Sequence, residues 1–197
     1  MAQKVFMTVN GVLCNVPAFY MTCGGALRKI NEGYLTVSGA ERPFWNGARW
    51  SCVTRVYEGA NASGFTGTYT VNSSSAGLES SGSYVMRVNA TFSANSDPIR
   101  AQAYCIVYGP YKVGDTVTLK WTGGSDPNYT DKTVQYLNSS GNSISSTTLS
   151  ASAQGTYTGT IPTNTDRIMF LLSVGTKGTT DTYFSLNSLV IGSRTYI

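Results

Sequence analysis

Histidine is absent from this 197-residue chain. With it goes the usual general base for a Ser or Cys nucleophile, so papain-like, chymotrypsin-like and α/β-hydrolase constellations are excluded in their ordinary forms. Charge is scarce as well. Only 12% of residues are charged, and the 14 basic side chains stand singly among 10 acidic ones rather than in the clustered footprint of a nucleic-acid binder. Nucleic acid is therefore not an expected partner. No 18-residue apolar run occurs, and the opening MAQKVFMTVNGVL lacks the basic and apolar regions of a secretory signal. Neither a membrane span nor export is expected, and the chain reads as made in the cytoplasm and left unprocessed.

The four cysteines, Cys14, Cys23, Cys52 and Cys105, show no CxxC spacing, and without histidine a zinc site has no ordinary ligand set. The thiols are expected to be reduced, with Cys52 and Cys105 able to pair if the protein meets an oxidising medium. No phosphate-cradling glycine motif stands between a strand and a helix, so no cofactor is expected. A pair of carboxylates remains the one route to hydrolysis. The acids are Glu32, Glu41, Glu58, Glu79, Asp97, Asp115, Asp126, Asp131, Asp166 and Asp181, most of them beside turn residues. The expectation is a protein with no catalytic residues.

What is present is Gly, Ser, Thr, Asn and Tyr, a composition suited to short strands and tight turns. Three ungapped 14-residue segments open the chain: KVFMTVNGVLCNVP (4–17), AFYMTCGGALRKIN (18–31) and EGYLTVSGAERPFW (32–45). Each has an aromatic at its third position (Phe6, Tyr20, Tyr34) and Thr at its fifth (Thr8, Thr22, Thr36). Each then carries a turn pair, Asn10-Gly11, Gly24-Gly25 or Ser38-Gly39. Such pairs supply the positive φ angles of a two-residue turn, so each repeat predicts a β-hairpin. Three small hairpins with apolar groups on both faces need covering, which points to self-association, a trimer first, or to docking into a larger assembly.

From about residue 48 the pattern changes to longer strands. They are expected at 51–57, 66–71, 83–92, 99–108, 115–122, 132–137, 146–149, 155–161, 167–174 and 182–191, with 138–153 as a mobile hairpin or loop of weak register. The reading is all-β: N-terminal hairpin repeats over 1–47 and a jelly-roll β-sandwich over 48–197.

The chain holds 13 Tyr, 7 Phe and 3 Trp. Tyr and Trp join an apolar face to a polar handle, which suits sugar rings. The densest group is Tyr104, Tyr108 and Tyr111 around Gly109-Pro110, with Trp121 one strand later and Tyr129 and Tyr136 beyond it. Gln102 and Arg100 share the face of Tyr104 at a period of two and supply polar contacts. The candidate glycan-binding set is thus Tyr104, Tyr108, Tyr111, Trp121, Gln102 and Arg100, although Trp121 also follows Val117 and Leu119 at core spacing.

Four segments, SYVMRVNATF, YKVGDTVTLKW, GTYTGTIPTNTDRIMFLL and DTYFSLNSLVIG, resemble in order and patterning the galactose-binding-like jelly-roll carbohydrate-binding modules. That resemblance implies a sandwich that contacts a cell-surface glycan. The closing strand carries Leu186-Asn187 where the family pattern has an Asp pair. This argues against the structural calcium common in the family and leaves Glu58 and Asn187 as the remaining ligand candidates. The segments YMTCGGALRKI and YLTVSGAERPF resemble the short YxxVGGxxRKV repeats of tailed-bacteriophage and prophage structural proteins. They imply a virion protein of tail, baseplate, fibre or capsid decoration, assembled in a host cytoplasm beside other virion proteins. A free-standing, extracellular polysaccharide-binding module or adhesin, and a decoration protein without ligand, are the alternatives.

Overall fold

The computed structural model describes residues 49–96, 98–109, 111–124, 130–150 and 152–197, and before them the backbone of the strands in 5–9, 12–16, 20–23, 26–29, 33–37 and 40–45. The protein is all-β, and its chain divides into two compact units, 1–49 and 50–197.

In the first unit β1 (Val5–Val9) pairs with β2 (Val12–Val16), β3 (Tyr20–Cys23) with β4 (Ala26–Lys29), and β5 (Gly33–Val37) with β6 (Ala40–Trp45). These are three separate two-stranded antiparallel sheets. Val9 pairs with Val12, Cys23 with Ala26 and Val37 with Ala40, leaving two residues between the strands of each pair. The turn pairs in those gaps, like the side chains of the repeats, lie outside the described residues.

The second unit is a jelly-roll sandwich of two antiparallel sheets. One has the order β13 (Ser143–Thr148), β12 (Thr130–Leu137), β15 (Arg167–Val174), β10 (Ile99–Tyr108), β7 (Arg49–Glu58). The other has the order β14 (Gln154–Thr160), β11 (Thr116–Gly123), β16 (Gly178–Ile191), β9 (Tyr84–Phe92), β8 (Tyr69–Leu78), with the short β17 (Arg194–Thr195) beside β16. The chain passes repeatedly from one sheet to the other. Period-two patterning explains the layering, because alternate residues of a strand face opposite ways. Ile168, Phe170, Leu172 and Val174 of β15 are each 0% exposed, as are Met86, Val88 and Ala90 of β9. These inward rows meet between the sheets, where each large apolar side chain contributes about 1.5–3 kcal/mol by leaving water. Trp50 stacks on Tyr84, ring centroids 4.0 Å apart, and lies 6.1 Å from Phe170.

Several strand assignments differ from the sequence reading. β8 runs to Leu78 through NSSSAGL, beyond the expected end at residue 71, with a register shift between Val71 and Ser73. Its partner β9 supplies the hydrogen-bond ladder, so polar and glycine residues of low strand propensity are carried along at the sheet edge. The stretch 138–153, expected to be a hairpin or loop with a strand at 146–149, holds β13, a hairpin partner of β12 that starts at Ser143 and is exposed along its whole length. β16 starts four residues before the expected 182, and β17 was not anticipated.

The cysteines differ too. Cys52 and Cys105, the pair named as able to bond, form a disulfide with Cα atoms 4.1 Å apart, which overturns the expectation of reduced thiols for these two; the side chains of Cys14 and Cys23 lie outside the described residues. The reason is topological. β7 and β10 are sheet neighbours, and both cysteines occupy inward positions, so two sulfurs 53 residues apart in sequence become adjacent. Closing a loop of that length stabilises the fold by about 4 kcal/mol in the chain-entropy account.

Candidate functional site

The outward face of the five-stranded sheet gathers the chemistry that the sequence scattered. On β10 the residues Ile99, Ala101, Ala103, Cys105 and Val107 point inward, which turns Arg100, Gln102, Tyr104, Ile106 and Tyr108 outward. Register carries the rows across the sheet. Gln102 pairs with Ser173 and Ser173 with Asp131; Tyr104 pairs with Leu171 and Leu171 with Thr133; Ile106 pairs with Met169 and Met169 with Gln135; Tyr108 pairs with Arg167 and Arg167 with Leu137. β7 adds Arg55 at the near edge.

This face has two chemically distinct halves. In one, Leu137, Met169 and Leu171 form an apolar cluster against which Tyr104 and Ile106 pack. In the other, polar groups are joined: Arg55 Nε donates to Gln102 Oε1 at 2.9 Å, and Gln102 Nε2 donates to Ser173 Oγ at 3.3 Å. Arg100 Nη1 forms an ion pair with Asp131 at 3.5 Å. Tyr104 stands at the seam. Gln102, Thr133 and Ser173 are 5–7% exposed, although they point away from the core. The buried Thr133 Oγ1 has no hydrogen-bond partner among the described residues.

Arginines cover the tyrosine rings. Arg55 Cζ lies 5.1 Å from the ring centroid of Tyr104 and 5.4 Å from that of Tyr57, and Arg167 Cζ lies 5.5 Å from that of Tyr108. These are cation–π distances. Arg167 is further held by Asp166 Oδ2 at 2.9 Å and by the Ser139 carbonyl at 2.6 Å.

Of the six candidate residues, four therefore share one surface: Arg100, Gln102, Tyr104 and Tyr108. Trp121 is placed elsewhere. It is 3% exposed and packs between the sheets, edge-on to Phe184 at 6.0 Å, so it offers no face to a ligand. Its alternation with Val117 and Leu119 puts it on the inward row of β11. Tyr136 is likewise buried, its hydroxyl 3.1 Å from that of Tyr157 on the opposite sheet, and burial with that contact raises its pKa above the usual 10. Tyr129 lies outside the described residues.

Tyr111 belongs to a different place. The turn after β10 carries it to one end of the sandwich, where its hydroxyl donates to the Val107 carbonyl at 2.7 Å. There it lines a cleft of about 440 Å³ with Lys112, Asp115, Ile191, Ser193, Arg194 and Tyr196. Burial, then the neighbouring Tyr196 and Asp166, raise its pKa. Sequence reasoning grouped Tyr111 with Tyr108 on one platform, whereas Tyr111 is partly buried and its hydroxyl is turned back onto the Val107 carbonyl.

The calcium candidates are not brought together. Glu58 ends β7 and accepts from Tyr69 at 3.4 Å, while Asn187 sits on β16 in the other sheet, bonded to Ser185 and Thr122. Among the described residues no group of three or more His, Cys, Asp or Glu could hold a metal.

Sequence reasoning missed Arg55, Thr133, Ser173 and Lys132. The last is 2% exposed, donates from Nζ to the Gly124 carbonyl at 2.5 Å and lies 5.2 Å from the Trp121 ring.

No protein-family model matches the sequence, and no curated protein is significantly similar to it. Among solved structures, the chain is similar to the enzymatically active domain of tailspike protein 4 of bacteriophage CBA120. The TM-score is 0.40 at 14% identity, over 73% of this chain but only 19% of that one. It is similar to the K1 cleaved adhesin domain of Lys-gingipain from Porphyromonas gingivalis W83, with TM-score 0.37 at 16% identity over 74% of this chain and 90% of that one. A family 29 carbohydrate-binding module gives TM-score 0.37 at 12% identity, over 74% and 93%.

Proposed function

We propose that the sandwich binds glycan through the outward face of its five-stranded sheet, in a virion structural protein of a tailed bacteriophage that presents the sandwich for host attachment. The observation that carries the glycan reading is the division of that face. Partly buried Tyr104 and Ile106, packed on the buried side chains of Leu137, Met169 and Leu171, lie beside a chain of polar donors and acceptors, with Tyr104 at the seam. A sugar ring has the same division, between CH groups on its faces and hydroxyls on its edge.

The reading is of a binder rather than an enzyme. Asp131 and Asp166, the carboxylates beside the face, are ion-paired to Arg100 and Arg167. A virion role rests on the N-terminal repeats, which would anchor or oligomerise the chain as a homotrimer among other virion proteins. Display on a released particle also suits the Cys52–Cys105 bridge, since disulfides persist outside reducing cytoplasm. A shallow sugar site is weak singly, and several copies on one particle would raise its avidity.

The test is a glycan array and a host-cell binding assay with the full chain and with Tyr104→Ala and Tyr108→Ala. Binding by the parent chain, lost in the variants while melting changes little, is the expected result. Binding that survives both substitutions would move the site off this face.

A further inference from the structure

On the reading of this face as a glycan platform, we propose that Arg55 makes it selective for anionic polysaccharides, its guanidinium receiving a carboxylate or an acidic ester group of the sugar chain.

The argument starts from how the arginines of the two sheets are partnered. Arg100 has Asp131, Arg167 has Asp166, and Arg87 on the opposite sheet has Glu79 at 3.0 Å. Among the described residues no carboxylate lies within ion-pair distance of Arg55, which is itself exposed. Its partners are instead neutral: the Gln102 amide oxygen at Nε, and the rings of Tyr57 and Tyr104. These contacts orient the guanidinium without neutralising it. Nε is occupied, and the two Nη nitrogens carry the paired donors that match a carboxylate, sulfate or phosphate in bidentate geometry.

Position matters as much as charge. Gln102 links Arg55 to Ser173, and Tyr104 links it to the apolar cluster, so an anionic group held at Arg55 would place the attached ring over the seam. Holding the side chain in advance also lowers the ordering cost on binding. A neutral sugar gains none of the charge-assisted bonds and has to displace the arginine's hydration to approach Tyr104.

The probes are two matched pairs of polymers: polygalacturonate against its fully methyl-esterified form, and dextran sulfate against dextran. Retention of the full chain in affinity electrophoresis is measured at low and high NaCl. An acidic member should bind at least about tenfold more tightly than its neutral partner, and should weaken as salt rises. The carboxylated and sulfated arms tell which anion is preferred. Arg55→Gln should remove at least about tenfold of that binding, and Arg55→Lys, which keeps charge but not the fork, should recover only part of it. Arg87→Gln removes the same charge from the other sheet and should change little. Equal losses in Arg55→Gln and Arg87→Gln would reduce the effect to bulk charge and overturn the proposal. Neutral members bound as well as acidic ones, with Arg55→Gln silent, would overturn the proposal and leave the glycan reading standing. No retention on any of the four polymers overturns the proposal as well, and the glycan reading is then judged by its own array.

Discussion

The two outward faces of the sandwich are built by the same alternation, yet they differ in what the alternation exposes. On the six-stranded sheet many outward residues are short and polar and satisfy one another, around one arginine, Arg87, that lies 5.6 Å from the Tyr183 ring. Asn72 Nδ2 donates to Asn89 Oδ1 at 2.9 Å and to Thr91 Oγ1 at 3.1 Å, and Thr91 and Thr179 hydroxyls lie 2.9 Å apart. Thr118 faces Thr158, and Thr116 faces Thr160, along the β11–β14 pair. The five-stranded sheet adds to its tyrosines and arginines an apolar cluster of Leu137, Met169 and Leu171 with Tyr104 and Ile106 packed on it. One face is a solvated ladder and the other an amphipathic surface. The proposed ligand binding would therefore follow from which residues fill the outward positions, not from the sandwich as such.

The largest test of this asymmetry is the disulfide, which ties the edge strand β7, and with it Arg55, to β10. A Cys52→Ala, Cys105→Ala double variant should lose about 2–4 kcal/mol, seen as a lower melting temperature. Hydrogen exchange should show β7 and β10 losing protection before β8 and β9. Equal loss in both sheets would break the claim that the bridge serves one face. Next comes the other sheet's inner side. A Cβ on Gly155 would lie 2.9 Å from Cζ2 of Trp121, its partner across the β11–β14 register. Gly155→Val should then cost about 1–3 kcal/mol in urea unfolding while sparing ligand binding.

Alkali gives a smaller effect. Burial raises the pKa values of Tyr111 and Tyr136 above a phenol's usual 10 in the folded state. The unfolded chain ionises these groups near pH 10. Their contribution is therefore complete below that pH and is lost as pH rises through the window above it, by on the order of 1 kcal/mol per tyrosine per pH unit. Tyr136→Phe should flatten the fall in stability above pH 10, measured by thermal melts. The smallest stability effects belong to the faces themselves: Tyr104→Ala and Tyr183→Ala should each cost roughly 1 kcal/mol. Only the first should reduce glycan binding, and equal losses would erase the distinction between the faces.

The sequence carried the strand rows but not their order. Residues 100, 102, 104 and 108 declare a shared face by spacing alone, and the structure keeps them together. Arg55, Thr133 and Ser173 join that face only because β7, β12 and β15 are neighbours of β10, and strand order in a jelly roll leaves no local trace. Trp121 was misplaced because an aromatic on an alternating strand fits the core and the surface equally until its row is known. Tyr111 was misplaced because spacing along the chain does not say that the ring after the turn folds back to bond the Val107 carbonyl and is partly buried there. The pair Cys52 and Cys105 was legible as able to bond, but that it does so depends, as for Arg55, on adjacency of distant strands.

The central claim is that the ligand lies on the five-stranded sheet, and amide chemical-shift mapping tests it most directly. The nitrogen-labelled chain would be titrated with a short fragment of whichever polysaccharide it retains best. The account predicts perturbations concentrated at Arg55, Gln102, Tyr104, Thr133 and Ser173, with β8, β9 and the outward row of β16 unmoved. Perturbations centred on β8 and β9, or on the cleft at Tyr111 and Tyr196, would contradict it.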